Sequence, residues 1–411
     1  MGAVKVAVVG GGAAGCLAAT LLARAGAEVV LLEKNARIGR KIYITGKGRC
    51  NLTADFPPRE FLDKVVRGEK FLRSAVWSFP PEQTKRFFEE LGVELVTERG
   101  GRVFPASQKS VTIIDALSRA LAEAGVRLRL GAEVTGVSRE GDGFEVALSD
   151  GSRVKSDFLI IATGGRSYPS TGSTGDGYMF AEALGHSVVK TVPSLAALIT
   201  EESVSDLKGL SLKNVRLTAK DAGGTLASEF GEMLFADRGL SGPIALSVSA
   251  RVNRASGVRL ELDLKPALDR EKLSARLLRE FSERQNSDIG NAMRALLPAR
   301  LELYLLARAG IKPDTKVNSV TRAQRGAIEA LLKCLPFGLR LVAPFEEAVV
   351  TSGGVSTKEL TPACMSRLVP GLYFVGEVID ADALTGGYNM QIAFSTAAAA
   401  ARDICKHAGL A

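Results

Sequence analysis

A short apolar run, Lys5 to Val9, is followed at once by Gly10-Gly11-Gly12-Ala13-Ala14-Gly15. Small and apolar residues continue to Ala25, where Gly26 ends the pattern. A second apolar run, Val29 to Leu32, finishes on Glu33. The order predicts strand, glycine turn, helix and strand, a βαβ unit. Within Gly10-x-Gly12-x-x-Gly15 each glycine has its own task. Gly10 allows the tight turn, Gly12 lets backbone approach a pyrophosphate, and Gly15 lets the helix pack on the strand. The helix N-terminus, with Ala13 and Ala14 in its first turn, faces phosphate, and Glu33 can accept from a ribose hydroxyl. The expectation is a dinucleotide site. The plain alternative is a tight turn with no ligand.

A chain of 411 residues exceeds one ordinary core and predicts two or three domains. The eighteen residues Val6 to Ala23 carry no charge, but Gly10 to Gly12 break them in the middle. They therefore read as strand, turn and helix rather than as a signal peptide or membrane span. Five cysteines, Cys16, Cys50, Cys334, Cys364 and Cys405, are widely spaced, without a C-x-x-C. That fits a reducing, cytoplasmic setting and suggests neither a redox dithiol nor a zinc knuckle. Only two histidines occur, His186 and His407, which argues against a His-based triad or a multi-His metal site. No metal is expected. The net charge of +8 permits a polyanionic partner and also serves solubility.

Along the chain, Phe71 to Leu91 and Val111 to Ala124 predict helices, with a strand region from Glu94 to Arg102 between them. Arg127 to Lys155 alternates and reads as a β-meander with turns at Gly141 and Gly151. Phe158 to Ala162 is an apolar strand entering Thr163-Gly164-Gly165, and a helix starts near Tyr178. Val188 to Leu264 reads as mostly β, a small barrel. Ala267 to Leu335 is helical and basic, with thirteen Lys and Arg against eight Asp and Glu. Strands return around Pro344 to Gly354 and Gly371 to Gly376, and an Ala-rich helix, Met390 to Lys406, closes the chain. The expected architecture is α/β. A discontinuous Rossmann-like, glutathione-reductase-type domain (1–189 and 343–411) accepts a β domain (190–265) and a basic helical domain (266–342).

Among dinucleotides, the Thr163-Gly164-Gly165 turn, Gly376-Glu377-x-x-Asp380 and the last helix favour FAD over NAD. Asp380 or Glu377 would bind the ribityl or pyrophosphate region. The helix after Gly386-Gly387-Tyr388-Asn389 would point its N-terminus at the flavin and stabilise the anionic reduced form. The same helix also reads as a core helix whose alanines merely pack closely. One further stretch stands out, "GRKIYITGKGRCN" from Gly39 to Asn51, with three glycines, four basic residues and Cys50.

Taken together, the chain resembles the bacterial flavoprotein family labelled BaiN/RdsA or "aminoacetone oxidase", FAD-dependent NAD(P)H oxidoreductases. The resemblance rests on "VAVVGGGAAG" from Val6, "GRKIYITGKGRCNLT" from Gly39, "IIATGGRSYPSTGSTGDGYMFAEALGH" from Ile160 and "VPGLYFVGEVIDADALTGGYNMQIAFSTA" from Val369. "LFADRGLSGPIAL" from Leu234 and "VTSGGVSTKEL" from Val350 add to it. Two stretches depart from the pattern. Gly46-Lys47-Gly48 stands where three glycines are usual, and Ala381-Asp382-Ala383 where glycine or tryptophan is more usual. The resemblance implies tightly bound FAD and NAD(P)H as a reductant. With a single G-x-G-x-x-G, NAD(P)H would dock transiently. Beyond the residues already named, the implied flavin contacts are Lys34, Gly39, Arg40, Lys41 and Thr45. They continue with Gly46, Gly48, Arg49, Cys50 and Asn51, then Ala162, Gly386, Gly387 and Met390.

Activities within that family divide between reduction of a carbon–carbon double bond in bile-acid intermediates and reduction of uridine to dihydrouridine in large-subunit ribosomal RNA. An amine oxidase label also exists. The first two share hydride delivery to an activated C=C and a proton supplied at the neighbouring carbon. The basic helical block, with Arg270, Arg276, Arg279, Arg284, Arg294, Arg300, Arg308, Lys312, Lys316, Arg322 and Arg325, suits RNA phosphates. It also reads as a solvated helical face. The preferred reading is a ribosomal RNA uridine reductase, with a small-molecule ene-reductase or oxidase and a flavin-binding redox sensor as alternatives. Cys50 is the candidate proton donor, its pKa expected to fall beside Arg49 and Lys47. Tyr388 and Tyr168 are rival acids.

Overall fold

The computed structural model describes residues 3–410. The chain forms two compact units, Met1–Pro193 with Phe345–Ala411, and Ser194–Pro344.

The first unit is built on β1 (Lys5–Val9), α1 (Ala13–Arg24), β2 (Glu28–Glu33), α2 (Arg40–Ile44), α3 (Ser110–Glu123), β3 (Arg127–Leu130), β4 (Phe158–Ile161), β5 (Leu372–Phe374) and α4 (Tyr388–Ala408). Its strands form a parallel sheet in the order β5-β4-β1-β2-β3. Val6 lies opposite Phe158 on one side and Val29 on the other. Val6 through Val9 are all buried, as expected for a central parallel strand covered on both faces. The chain leaves β1 for β2 on one side and later returns beside β1 as β4. This change of direction opens a crevice at the carboxyl end of β1, where ligands bind in such sheets. Helices α1 and α4 pack on one another. Ala14 faces Gly376 so closely that a Cβ on Gly376 would stand 3.0 Å from the Ala14 Cβ.

Three local expectations change. Phe71 to Leu91 is two helices, Glu69–Ser78 and Pro81–Glu90, because Pro80 and Pro81 interrupt the turn. Arg127 to Lys155 is not one meander. β3 joins the parallel sheet, and only Val134–Glu140, Gly143–Leu148 and Arg153–Ser156 form the antiparallel sheet. The closing helix begins two residues before Met390, at Tyr388, capped by Gly387 in the left-handed region.

In the second unit, strands Leu198–Thr200, Gly239–Ser241, Gly224–Phe235, Ser211–Asp221, Arg259–Asp263 and Leu335–Val342 close a barrel. The last of these lies beyond the helices Arg270–Glu283, Ala299–Arg308 and Arg322–Lys333, so the helical segment is inserted between two neighbouring barrel strands. Leu335 to Val342 therefore leaves the helical domain to which its position assigns it. Cross-strand pairing of Leu335 with Leu262 and Phe337 with Leu260 makes it β. Barrel and helical residues share one apolar core, including Leu260, Phe337, Leu277 and Leu305. Among the described residues no helix is long and apolar enough to cross a membrane.

Candidate cofactor site

The βαβ turn has the steric character that its glycines demand. Gly10 has φ +109°, and a Cβ there would meet the Ala162 carbonyl oxygen at 2.5 Å. A Cβ on Gly15 would lie 1.9 Å from the Gly10 oxygen, so helix and turn touch backbone to backbone. Gly12 differs, since a Cβ there would find nothing within 4 Å. Gly12 also caps α1 without any side chain satisfying the first turn, so the amides at Ala13 and Ala14 face this opening. The Glu33 carboxylate is held at the end of β2. One oxygen accepts from the Gly11 amide at 2.7 Å, the other from Asn35 N at 2.8 Å and Asn35 Nδ2 at 2.6 Å.

A second helix start lies in the same unit. Gly386 and Gly387 have φ +131° and +96°, and α4 begins with no side-chain cap. A Cβ on Gly387 would sit 2.5 Å from the Thr53 carbonyl oxygen and 2.9 Å from Asn51 Oδ1. The end of the Gly39–Asn51 stretch is therefore pressed against the start of α4. Asn51 Oδ1 is buried with no hydrogen-bond partner, as are Thr163 Oγ1 beside Gly164 and the Tyr178 hydroxyl. Asn389 does not turn outward. Its amide pairs with Ala383, accepting from the backbone N at 2.9 Å and donating to the O at 2.8 Å. The Tyr388 ring packs on Phe56 and Phe61, and burial pushes its phenol pKa up. Tyr168 caps a short 3-10 turn at φ +51°.

A polar network in the same unit ties distant segments together. Lys41 Nζ donates to Glu377 Oε2 and to Ser167 Oγ, both at 2.6 Å. Glu377 Oε1 accepts from Ser167 Oγ at 2.9 Å and from the Thr351 amide at 2.8 Å. Asp380 receives a two-pronged contact from Arg67, 2.8 Å to Oδ1 and 2.9 Å to Oδ2. Arg40 Nη1 donates to Asn35 Oδ1 at 2.7 Å, and Lys34 pairs with Asp176 at 2.6 Å. Sequence reasoning missed Ser167, Thr351 and Arg67. The first two fall inside quoted family stretches and could have been found there. Arg67 carries no local signal.

Cys50 requires a correction. It is fully buried at φ +60°, and burial pushes its thiol up to about 12. The expected lowering by Arg49 does not occur, because that guanidinium turns to Gln108 and Glu98 and lies 4.0 Å from the centre of the Phe104 ring. Cys50 N donates to Thr45 O at 3.1 Å, which closes the tight loop through Gly46 and Gly48. Cys50 is thus held as a protonated thiol next to Asn51.

Two uncapped helix starts, an open approach over Gly12, a fixed carboxylate at Glu33 and orphaned buried polar atoms fit an elongated dinucleotide. Met390 follows in the first turn of α4, and Ala162 borders Gly10.

Fold and site together define a Rossmann-type nucleotide-binding protein whose C-terminal strand completes the edge of the parallel sheet and whose last helix packs on α1. More particularly, the chain belongs to the HI0933-like protein Rossmann domain family, matched over residues 4–403. It is 33% identical over 406 residues to the ribosomal RNA dihydrouridine synthase of Escherichia coli, covering 97% of each chain. It is 30% identical over 412 residues to the 3-dehydro-bile acid delta(4,6)-reductase of Clostridium scindens, covering 97% of this chain and 98% of that one. Among solved structures, 3-ketosteroid-delta4-(5alpha)-dehydrogenase from Rhodococcus jostii RHA1 superposes with a TM-score of 0.50 at 14% identity, covering 97% of both chains. That last likeness is one of fold.

Proposed function

We propose that this protein is an FAD-dependent oxidoreductase that uses NAD(P)H to reduce an activated C=C bond, and that its substrate is uridine in ribosomal RNA. The observation that carries the flavin reading is that one unit holds two glycine-led helix starts without side-chain caps, those of α1 and α4, together with the Lys41–Glu377 pair. Gly10, Gly12, Ala13, Ala14, Gly15 and Glu33 would hold the adenosine and pyrophosphate end, with Arg40 and Lys34 beside it. Lys41, Glu377 and Asp380 would face the ribityl region, and Asn51, Gly387 and the start of α4 the ring end. Bound there, FAD supplies hydride chemistry. In net terms, NAD(P)H and one proton convert uridine to dihydrouridine and NAD(P)⁺. The α4 dipole stabilises negative charge at its N-terminus. Cys50, which burial keeps as a thiol, would be the donor of the proton to the carbon next to the hydride acceptor. Tyr388 is the rival donor.

The two relatives, named for RNA and for bile-acid chemistry, have nearly equal identity to this chain. Charge favours RNA. In the helical segment Arg276 and Arg284 pair with Glu280, and Lys316 with Asp288. Arg270, Arg279, Lys312 and Arg322 are exposed and have no ion-pair partner among the described residues, which leaves them available to phosphates. The bile-acid relative keeps an enone reductase as the second reading. The test is incubation of FAD-loaded protein with NAD(P)H and unmodified ribosomal RNA, followed by mass analysis of nucleosides. Dihydrouridine is expected. Its absence, together with reduction of small enones, refutes the RNA reading.

A further inference from the structure

The segment that delivers Cys50 also turns an aromatic, cationic surface outward. Lys34 to Asn51 contains six Lys and Arg and not one Asp or Glu. Lys34, Lys41 and Arg49 are taken up in ion pairs with Asp176, Glu377 and Glu98. Arg37, Arg40 and Lys47 are exposed and have no acidic partner among the described residues. Ile42 is buried and anchors α2, while Tyr43 is 52% exposed and Ile44 37%. The Tyr43 carbonyl accepts from Ser110 Oγ at 2.9 Å, which fixes its backbone against the start of α3 beside exposed Lys109 and Val111. The Arg37 guanidinium lies 6.0 Å from the centre of the Tyr43 ring. Gly46 and Lys47 both have positive φ, +57° and +59°, so one tight turn sets Lys47 outside and Asn51 inside. A Cβ on Gly46 would touch the Asn51 amide at 3.0 Å.

An exposed aromatic ring among unpaired cations is the chemistry that receives single-stranded nucleic acid. The ring stacks a base and the cations follow the backbone. A steroid would instead require an enclosed apolar wall, and this surface is open and charged. We propose that the Tyr43 surface holds the RNA strand next to the target uridine, with Tyr43 stacked on a neighbouring base and Arg37 and Lys47 on phosphates. The assignment rests on the uridine-reductase reading above and adds where the substrate strand lies.

The experiment measures binding of an unmodified, single-stranded ribosomal RNA fragment to FAD-loaded protein at several salt concentrations. Dihydrouridine is measured in the same samples after addition of NAD(P)H. Tyr43→Ala is expected to weaken binding on the order of tenfold, and Tyr43→Phe to restore it, because phenylalanine keeps the stacking face. Arg37→Gln and Lys47→Gln are each expected to reduce the slope of log affinity against log salt by about 0.7. RNA affinity and salt slope that are the same in all four variants as in the unchanged protein overturn the surface. If dihydrouridine still forms in that case, the functional reading stands without it. Conversely, Tyr43-dependent binding with no dihydrouridine supports the surface and refutes the reaction.

Discussion

Gly12 and Gly15 stand three residues apart in one motif, yet replacing each by alanine should have opposite consequences. At Gly15 the new Cβ would fall 1.9 Å from the Gly10 carbonyl oxygen, a contact relieved only by separating α1 from the turn. Backbone faces backbone there, so no side chain can swing aside. Gly15→Ala should destabilise the protein with or without cofactor, by about 3 kcal/mol or more, as overpacking does. At Gly12 φ is −85°, a value alanine adopts freely, and the Cβ would meet nothing within 4 Å. Alanine there restricts the unfolded chain, a gain of about 0.4–1 kcal/mol. It is also a poorer N-cap, a loss of similar size. The cofactor-free protein should therefore keep its stability to within about 1 kcal/mol. The same methyl group would fill the open space over the α1 amides that the proposed pyrophosphate site uses. Losing one charge-assisted hydrogen bond costs about 1.5–3 kcal/mol, or roughly ten- to a hundredfold in FAD affinity. The assay is paired thermal unfolding of apo- and FAD-loaded protein with titration of FAD. Gly12→Ala should unfold like the unchanged apoprotein and lose most of the ligand-induced shift in Tm. Wild-type FAD affinity in Gly12→Ala would refute the assignment of this opening to the pyrophosphate.

Cys50→Ala should leave FAD bound and abolish or slow C=C reduction, as read by single-turnover flavin reoxidation on substrate. Unchanged turnover assigns the proton to another group. Burial raises the Cys50 pKa from 9.0 to about 12 in the folded state, so folding favours the protonated thiol. Its contribution to stability is complete below the unfolded value and is lost as pH rises through this window, and Cys50→Ala should flatten the alkaline limb of the stability–pH curve. Arg67→Ala strips Asp380 of its two-pronged partner and should cost about 1–3 kcal/mol in denaturant unfolding, with Arg67→Lys recovering part of it. Lys41→Ala and Glu377→Gln should each weaken FAD binding on the order of tenfold, and a double-mutant cycle should show them non-additive, since each is the other's partner.

Part of the site is legible one short window at a time. The β1–α1–β2 order, the three glycines and Glu33 follow from backbone sterics and two short apolar runs, which act between neighbours. The start of α4 is equally local, since two consecutive positive-φ glycines must precede it. Pro80-Pro81 could have been read as a break, and the helical periodicity on either side concealed it. The strand Leu335–Val342 was hidden because its β character comes from partners at Leu260 and Leu262, more than seventy residues away.

The sequence by itself determined that this chain carries a strand–glycine turn–helix unit, an acidic residue at the end of its second strand and a glycine-led helix at its end. Those are properties of local backbone geometry. Tertiary structure alone decided that Lys41 meets Glu377 and that Arg67 meets Asp380, pairs brought together across more than three hundred residues. It also decided that Cys50 is a buried thiol rather than a thiolate beside Arg49. The physical reason is the same in each case. Ion pairing and desolvation depend on what surrounds a group in space, and a residue's neighbours in sequence do not specify that surrounding.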